Sequence, residues 1–454
     1  QKPCSLPPRW NRQGTHVLYN RSDRHPNGLQ LWTVNADGSD DRELLHFGDD
    51  KQVLGGWLPD GERIVFRAGA EEHFRIGLWS PDEGVRWLID DPERNPERLI
   101  IPENDGSVIV VLENHHARQY AALQYVDADL EVDLPELHGT LTPCAPLDDG
   151  EHWVGLYYSS IHPADVVRFS PARPEEMQSL ARIWETTPLT EDDLTPAEDL
   201  RWHARDGLEI QGWLYRARGK ARGTVVYVHG GPTWHLEDKI DAEVQFYAAS
   251  GFNVLVPNYR GSTGFSRAYQ EAIKVDGWGG AEQDDIRAGI EVLLKAGIAQ
   301  PGRVAITGTS YGGYSSWCAI TRWSPQIIAA AAPVCGMTDL IVDYETTRPD
   351  LRPYSEAMMG GSPSEIPDKY RERSPIYHVH NIRGHLLIVQ GMQDPNVTPE
   401  NLHTVTDALE EHNIPYETLL FDDEGHGIDR LENRRALYTR LVDFFAEAFA
   451  THSP

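Results

Sequence analysis

The chain has 454 residues, 40% of them hydrophobic, which is enough for more than one buried core and too much for a single small module. With 41 basic against 70 acidic residues its formal net charge is −29, which repels a phosphate backbone and an anionic bilayer alike, so no nucleic acid and no membrane are expected as partners. Four cysteines without a CxxC pair suggest neither a disulfide framework nor a thiolate metal site.

The opening QKPCSLPPRW has no basic stretch leading into an apolar run, so a leader peptide is not visible, although one could have preceded Gln1. A cytoplasmic location is the expectation. The longest apolar candidate, 327–334, is far short of the ~18 residues of a membrane helix and reads as a buried strand.

Up to about residue 190 the chain consists of short alternating strands separated by Asp-Gly or Asn-Gly turns. Segments opening at Gly14, Gly61, Gly106 and Gly150 share one pattern: a turn glycine, a polar pair, then an apolar strand. The step between them is roughly 45 residues, the period of a four-stranded propeller blade. Second strands follow at 29–34, 76–79, 122–126 and 166–169. Residues 1–190 are therefore expected to form a β-propeller-like domain of about four blades, with an irregular β-sandwich as the alternative. His115-His116 lacks a third ligand at useful spacing, so no metal is expected, and no cofactor either.

Residues 187–199, rich in Thr, Pro and acidic side chains, read as a linker. From about residue 200 to 454 apolar β-branched runs alternate with amphipathic helices, the pattern of a doubly wound, mostly parallel sheet covered on both faces. Strands are predicted at 224–228, 253–257, 303–307, 329–334, 386–390 and 416–421. The helix predicted over 283–296 carries Ile286, Ile290, Leu293 and Leu294 on one face, and the closing helix, 432–450, carries Leu437, Leu441, Phe444 and Phe445.

The strand at 303–307 runs into Gly308-Thr-Ser310-Tyr-Gly312 and then a helix-compatible stretch. This is G-x-S-x-G between strand and helix, the setting of a nucleophilic serine on a tight turn. A serine hydroxyl needs a base and a carboxylate to orient that base. In α/β-hydrolases both follow in the order acid, then histidine, each after a strand. Asp394 follows the strand at 386–390 and His426 the strand at 416–421, so Ser310, Asp394 and His426 are the candidate triad. Asp422 and Asp423 are the rival acids. The backbone N–H of Tyr311 and that of Gly231, in His229-Gly-Gly-Pro232 after the strand at 224–228, are the candidate oxyanion donors.

These residues resemble the prolyl oligopeptidase family, especially its acylaminoacyl-peptidase and bacterial aminopeptidase branch. The resemblance is carried by HGGP at 229–232, NYRGSTGF at 258–265, Trp278-Gly-Gly280, GTSYGGY at 308–314 and DEGHG at 423–427, and covers about 200–450. It implies an α/β-hydrolase catalytic domain behind a propeller that restricts entry to short peptides or aminoacylated small molecules. It also implies that 258–265 is a structural loop and that Trp278 with Asp284 is a packing element. Family members usually carry seven or eight blades, and many place an arginine two residues after the catalytic aspartate to hold a substrate carbonyl. This chain has room for about four blades and has Asn396 at that position. An aminopeptidase-like amide hydrolase for substrates with one amino-acid-like unit follows from that departure.

Such an enzyme needs a carboxylate for the substrate ammonium, and Glu71-Glu72 is a candidate beside the plainer reading of a solvated turn. Cys318 and Cys335 read as core thiols, and whether Cys4 meets Cys144 is open, as is homo-oligomerisation. A carboxylesterase with the same triad, or a catalytically inert binding protein of the same fold, are the alternatives.

Overall fold

A computed structural model of the chain describes residues 7–21, 28–49, 51–70, 73–128 and 130–451. Packing divides it into two compact units, residues 1–190 with 264–268, and residues 191–263 with 269–454.

Among the described residues the first unit contains four antiparallel sheets of four strands, each built from strands consecutive in sequence. Each repeated glycine lies in the turn before the second strand of its sheet: His16–Arg21, Ile64–Gly69, Val108–His115 and Trp153–Tyr158. The recurrence has a local cause. Asn11, Asp60, Asp105 and Asp149 each accept backbone N–H groups two to five residues on through Oδ1, closing the same kind of side-chain-capped turn. Apolar residues from neighbouring sheets interleave into shared cores, such as Val110, Leu112 and Leu123 with Leu141, Trp153 and Phe169. Four blade-like sheets in succession, as expected of the propeller-like domain, are thus the observed architecture.

In the second unit one mixed sheet has eight strands: β1 (Ala197–His203), β2 (Glu209–Tyr215), β3 (Gly223–Tyr227), β4 (Phe252–Asn258), β5 (Val304–Thr309), β6 (Ala330–Val334), β7 (His385–Gly391) and β8 (Glu417–Phe421). Their order is β1-β2-β4-β3-β5-β6-β7-β8. β1 pairs antiparallel with β2, and β2 with β4; every later pairing is parallel. This is the α/β-hydrolase fold. The hairpin β1–β2 was not anticipated, and residues 197–199 belong to it and not to a linker.

β5 and β6 are buried along nearly their whole length, as strands covered by helices on both faces must be. The closing helix Leu431–Thr451 buries Leu437, Leu441, Phe444 and Phe445 as its periodicity predicts. The helix Ala281–Lys295 buries Ile286, Ile290 and Leu293, but also Glu282 and Asp285. Asp285 is held by the guanidinium of Arg260 through two hydrogen bonds of 2.8 Å. The sequence reading named Asp284 as the packing acid; it is half exposed, 3.8 Å from Arg205. One step along a helix is about 100°, which is enough to exchange the buried position for the exposed one. No helix among the described residues is long and apolar enough to cross a membrane.

Candidate active site

β5 ends at Thr309 and the helix Tyr311–Arg322 starts at residue 311, so Ser310 alone makes the turn between them. Its φ of 62° and ψ of −118° are a conformation that a residue with a side chain rarely adopts. The flanking glycines are required by contact. A Cβ on Gly308 would lie 2.1 Å from the carbonyl oxygen of Val228, and one on Gly312 would lie 2.0 Å from the same atom.

The loops after β7 and β8 bring two further side chains to this turn. Nε2 of His426 lies 2.8 Å from Ser310 Oγ, and its Nδ1 lies 2.8 Å from Asp394 Oδ2. The Asp394 side chain is fully buried, and its other oxygen accepts the backbone N–H groups of Asn396 (2.8 Å) and Val397 (3.1 Å). Three donors therefore hold the carboxylate in one orientation, and the imidazole with it. The rival acids point elsewhere: Asp422 and Asp423 are exposed, and Asp423 pairs with Arg430 at 3.0 Å. A hydroxyl, an imidazole and a carboxylate in this series can transfer a proton from oxygen to ring nitrogen and stabilise the resulting cation.

Donors for a developing oxyanion are at hand. Tyr311 is the first residue of its helix, where a backbone N–H has no acceptor within the helix. Gly230 packs against Ser310, since a Cβ there would lie 3.4 Å from Ser310 Cβ, and Gly231 follows with a φ of 120°. This loop is fixed from below by His229. Its ring stacks on Tyr259 with centroids 4.4 Å apart, its Nε2 lies 2.9 Å from Ser262 Oγ, and Tyr259 donates its hydroxyl to the His229 carbonyl at 2.9 Å. Burial pulls the His229 ring down to about 4, so it is neutral and structural near pH 7.

Residues 238–452 match the model of the prolyl oligopeptidase family. Over this stretch, a little under half of its length, the chain is similar to that family. It is 29% identical over 415 residues to the dipeptidyl aminopeptidase BIII of Pseudoxanthomonas mexicana, covering 87% of this chain and 59% of that protein. The chain thus spans less than two thirds of that relative's length. Among solved structures, a puromycin-hydrolyzing peptidase of Mycobacterium tuberculosis superposes with a TM-score of 0.83 at 24% identity, covering 97% of this chain and 69% of that one. The acylaminoacyl peptidase of Pyrococcus horikoshii gives 0.68 at 16% identity, covering 98% and 88%. Both share the fold.

The departure at residue 396, where many prolyl oligopeptidase family members hold an arginine, looks different in three dimensions. Nη1 of Arg348 donates to Asn396 Oδ1 at 3.3 Å, and Thr347 donates its hydroxyl to the Asn396 carbonyl at 2.7 Å. A guanidinium from a separate segment therefore stands at this loop, something no local motif announces.

Sequence reasoning also missed Glu282. Fully buried, it accepts the Gly279 N–H at 2.6 Å, the Gly280 N–H at 3.0 Å and the Tyr311 hydroxyl at 2.8 Å. Trp278, from the same WGG turn, packs edge-on against Tyr311 with centroids 5.7 Å apart. A glutamate two residues after WGG was the available signal, but its burial depends on partners remote in sequence. Of the remaining candidates, Glu71-Glu72 and Cys4 lie outside the described residues. His115 sits 3.4 Å from Glu113, and His116 packs edge-on against Phe265. Cys318 and Cys335 are buried thiols, both pushed up by burial.

Proposed function

We propose that the chain is a serine hydrolase that cleaves amide bonds of short peptides or aminoacylated small molecules through an acyl-enzyme, in the manner of an aminopeptidase. The observation that carries this reading is the single imidazole of His426, hydrogen-bonded at 2.8 Å on one side to Ser310 and on the other to buried Asp394. In this reading Ser310 Oγ attacks the substrate carbonyl carbon as its proton passes to His426 Nε2. The carbonyl oxygen becomes an oxyanion, met by the N–H groups of Tyr311 and Gly231. The imidazolium then protonates the departing amine, the C–N bond breaks, and the acyl group remains on Ser310. Water, deprotonated by the same ring, releases the acid and restores the hydroxyl.

Three things support an amide substrate: the match of residues 238–452 to the prolyl oligopeptidase family, the name of the aminopeptidase relative, and that of the puromycin-hydrolyzing structural neighbour. The test is a panel of aminoacyl arylamides, with free and blocked amino groups, beside their ester analogues. Hydrolysis of free aminoacyl arylamides, abolished together with fluorophosphonate labelling in Ser310→Ala, is expected. Turnover of esters alone would overturn the amide assignment. Equal rates on blocked and free substrates would overturn the aminopeptidase-like part.

A further inference from the structure

A cavity of about 260 Å³ opens in the propeller unit where its first three sheets meet, just below the range of about 300–1,000 Å³ usual for small-molecule sites. Leu18, Leu31, Leu54 and Leu99 supply apolar wall, drawn from all three of those sheets. Its charged lining is lopsided: Arg9, Arg67 and Arg98 against Glu97. Three cations around one small cavity run against a chain whose net charge is −29.

Arg67 is the informative one. It is only 9% exposed, and its guanidinium stacks over the ring of Phe74 at 4.0 Å. Among the described residues it donates no hydrogen bond and makes no ion pair; Glu97 acts on it only through space. Arg260 shows how this chain otherwise treats a buried guanidinium: its side chain is 8% exposed and is held by Asp285 on one side and Asp206 on the other. A desolvated guanidinium without such partners is unfavourable unless something else meets its donors. Space has also been left beside the arginines. On the strand Val53–Trp57, a Cβ on Gly56 would lie 3.0 Å from Arg9 Nη1 and 3.0 Å from Ile101 Cδ1.

We propose that this cavity binds a small carboxylate with an apolar body, its carboxylate on the guanidinium of Arg67 with Arg9 and Arg98 at the rim, and its hydrocarbon against the leucines. A planar guanidinium fork suits a planar carboxylate. The apolar wall favours a ligand with hydrocarbon to bury over a compact, strongly hydrated oxyanion.

Isothermal titration at constant ionic strength tests this with hexanoate, acetate and inorganic phosphate as probes. Hexanoate is expected to bind most tightly, acetate less so and phosphate least. Arg67→Met is expected to weaken hexanoate by roughly 10–100-fold, the loss of one charge-assisted contact, and Arg67→Lys to fall between. Should Arg67→Met fail to fold, Arg98→Met, at an exposed position, is expected to weaken hexanoate severalfold. The assignment is overturned if hexanoate does not bind, if phosphate binds as well, or if the folded variants bind hexanoate as the wild type does.

Discussion

The carboxylate of Glu282 accepts the hydroxyl of Tyr311 at 2.8 Å, linking the turn after Trp278 to the first residue of the helix that follows Ser310. Burial pushes this carboxyl up, and donors from Gln283, Tyr311, Gly279 and Gly280 hold it back. The same residue that offers its backbone N–H as a proposed oxyanion donor is thereby anchored through its side chain. Peptide direction at 311 depends on where the ring sits, and Glu282 and Trp278, with Tyr259 and Tyr314 packed on the same ring, fix that.

Tyr311→Phe removes the phenol but leaves the backbone N–H, so any kinetic effect comes through position. A fall in kcat of up to about tenfold with KM little changed is expected. Glu282→Gln should do more, because an amide NH2 must then face a donor; a stability loss of about 2 kcal/mol accompanies it. Steady-state kinetics on an aminoacyl arylamide, beside urea unfolding, separates the two effects. Wild-type kcat in a destabilised Tyr311→Phe would leave this contact a packing role only.

Asp394→Asn keeps the shape of the residue but gives it both donor and acceptor character. One oxygen now receives two backbone N–H groups and the other faces His426 Nδ1, so the amide nitrogen has no suitable place. Whichever way it turns, the ring loses its preferred tautomer or the loop loses a bond. A fall in kcat on the order of 10⁴, with the fold retained, is the expectation. A near-normal rate would free Asp394 of its proposed role.

The parts legible in sequence were those set by local chemistry. The capped turns at Asp60, Asp105 and Asp149 recur because each is closed by its own side chain within a few residues. The elbow at Ser310 was visible because backbone crowding leaves glycine as the residue at 308 and 312. What stayed hidden depends on remote partners. β1, whose sequence AEDLRWH is mostly exposed, lacks an apolar alternation and is a strand only because β2 pairs with it. Glu282 and Asp285 lie on a helical face that a hydrophobic pattern reads as solvated, and Tyr311 and Arg260 are what make their burial tolerable. Arg348 reaches Asn396 from 48 residues away, beyond any motif.

Gly312→Ala tests the crowding at the elbow. Its Cβ would lie 2.0 Å from the Val228 carbonyl oxygen, and that strand end leads into His229–Gly231. The two backbones must move apart, at a cost of about 2–3 kcal/mol of overpacking. Activity is expected to fall further than stability, since the displaced segments carry both the proposed nucleophile and a proposed oxyanion donor. Arylamide turnover at a temperature where the variant remains folded checks this; wild-type turnover there would mean that the elbow tolerates displacement.

Asp343 offers a pH signature that does not depend on catalysis. It is 6% exposed, accepts a long hydrogen bond of 3.4 Å from Asn401 Nδ2, and is pushed up to about 8 by burial, with Asp394 and Asp339 adding to the effect. Unfolded, it titrates near 3.8. Between these values the folded chain retains a proton that the unfolded chain has released, so this group's contribution is complete at low pH and declines as pH rises towards 8. Asparagine imitates the protonated acid and cannot ionise. Asp343→Asn is therefore expected to gain stability relative to wild type as pH rises, by about 3 kcal/mol between pH 5 and 8. Urea unfolding of both proteins at pH 5, 6.5 and 8 measures the difference directly. Other carboxylates, such as Glu243, also pushed up to about 8, titrate alike in both and cancel. A difference that does not change with pH would show that Asp343 is ionised in the folded protein across this range, with Asn401 sufficient to hold the charge.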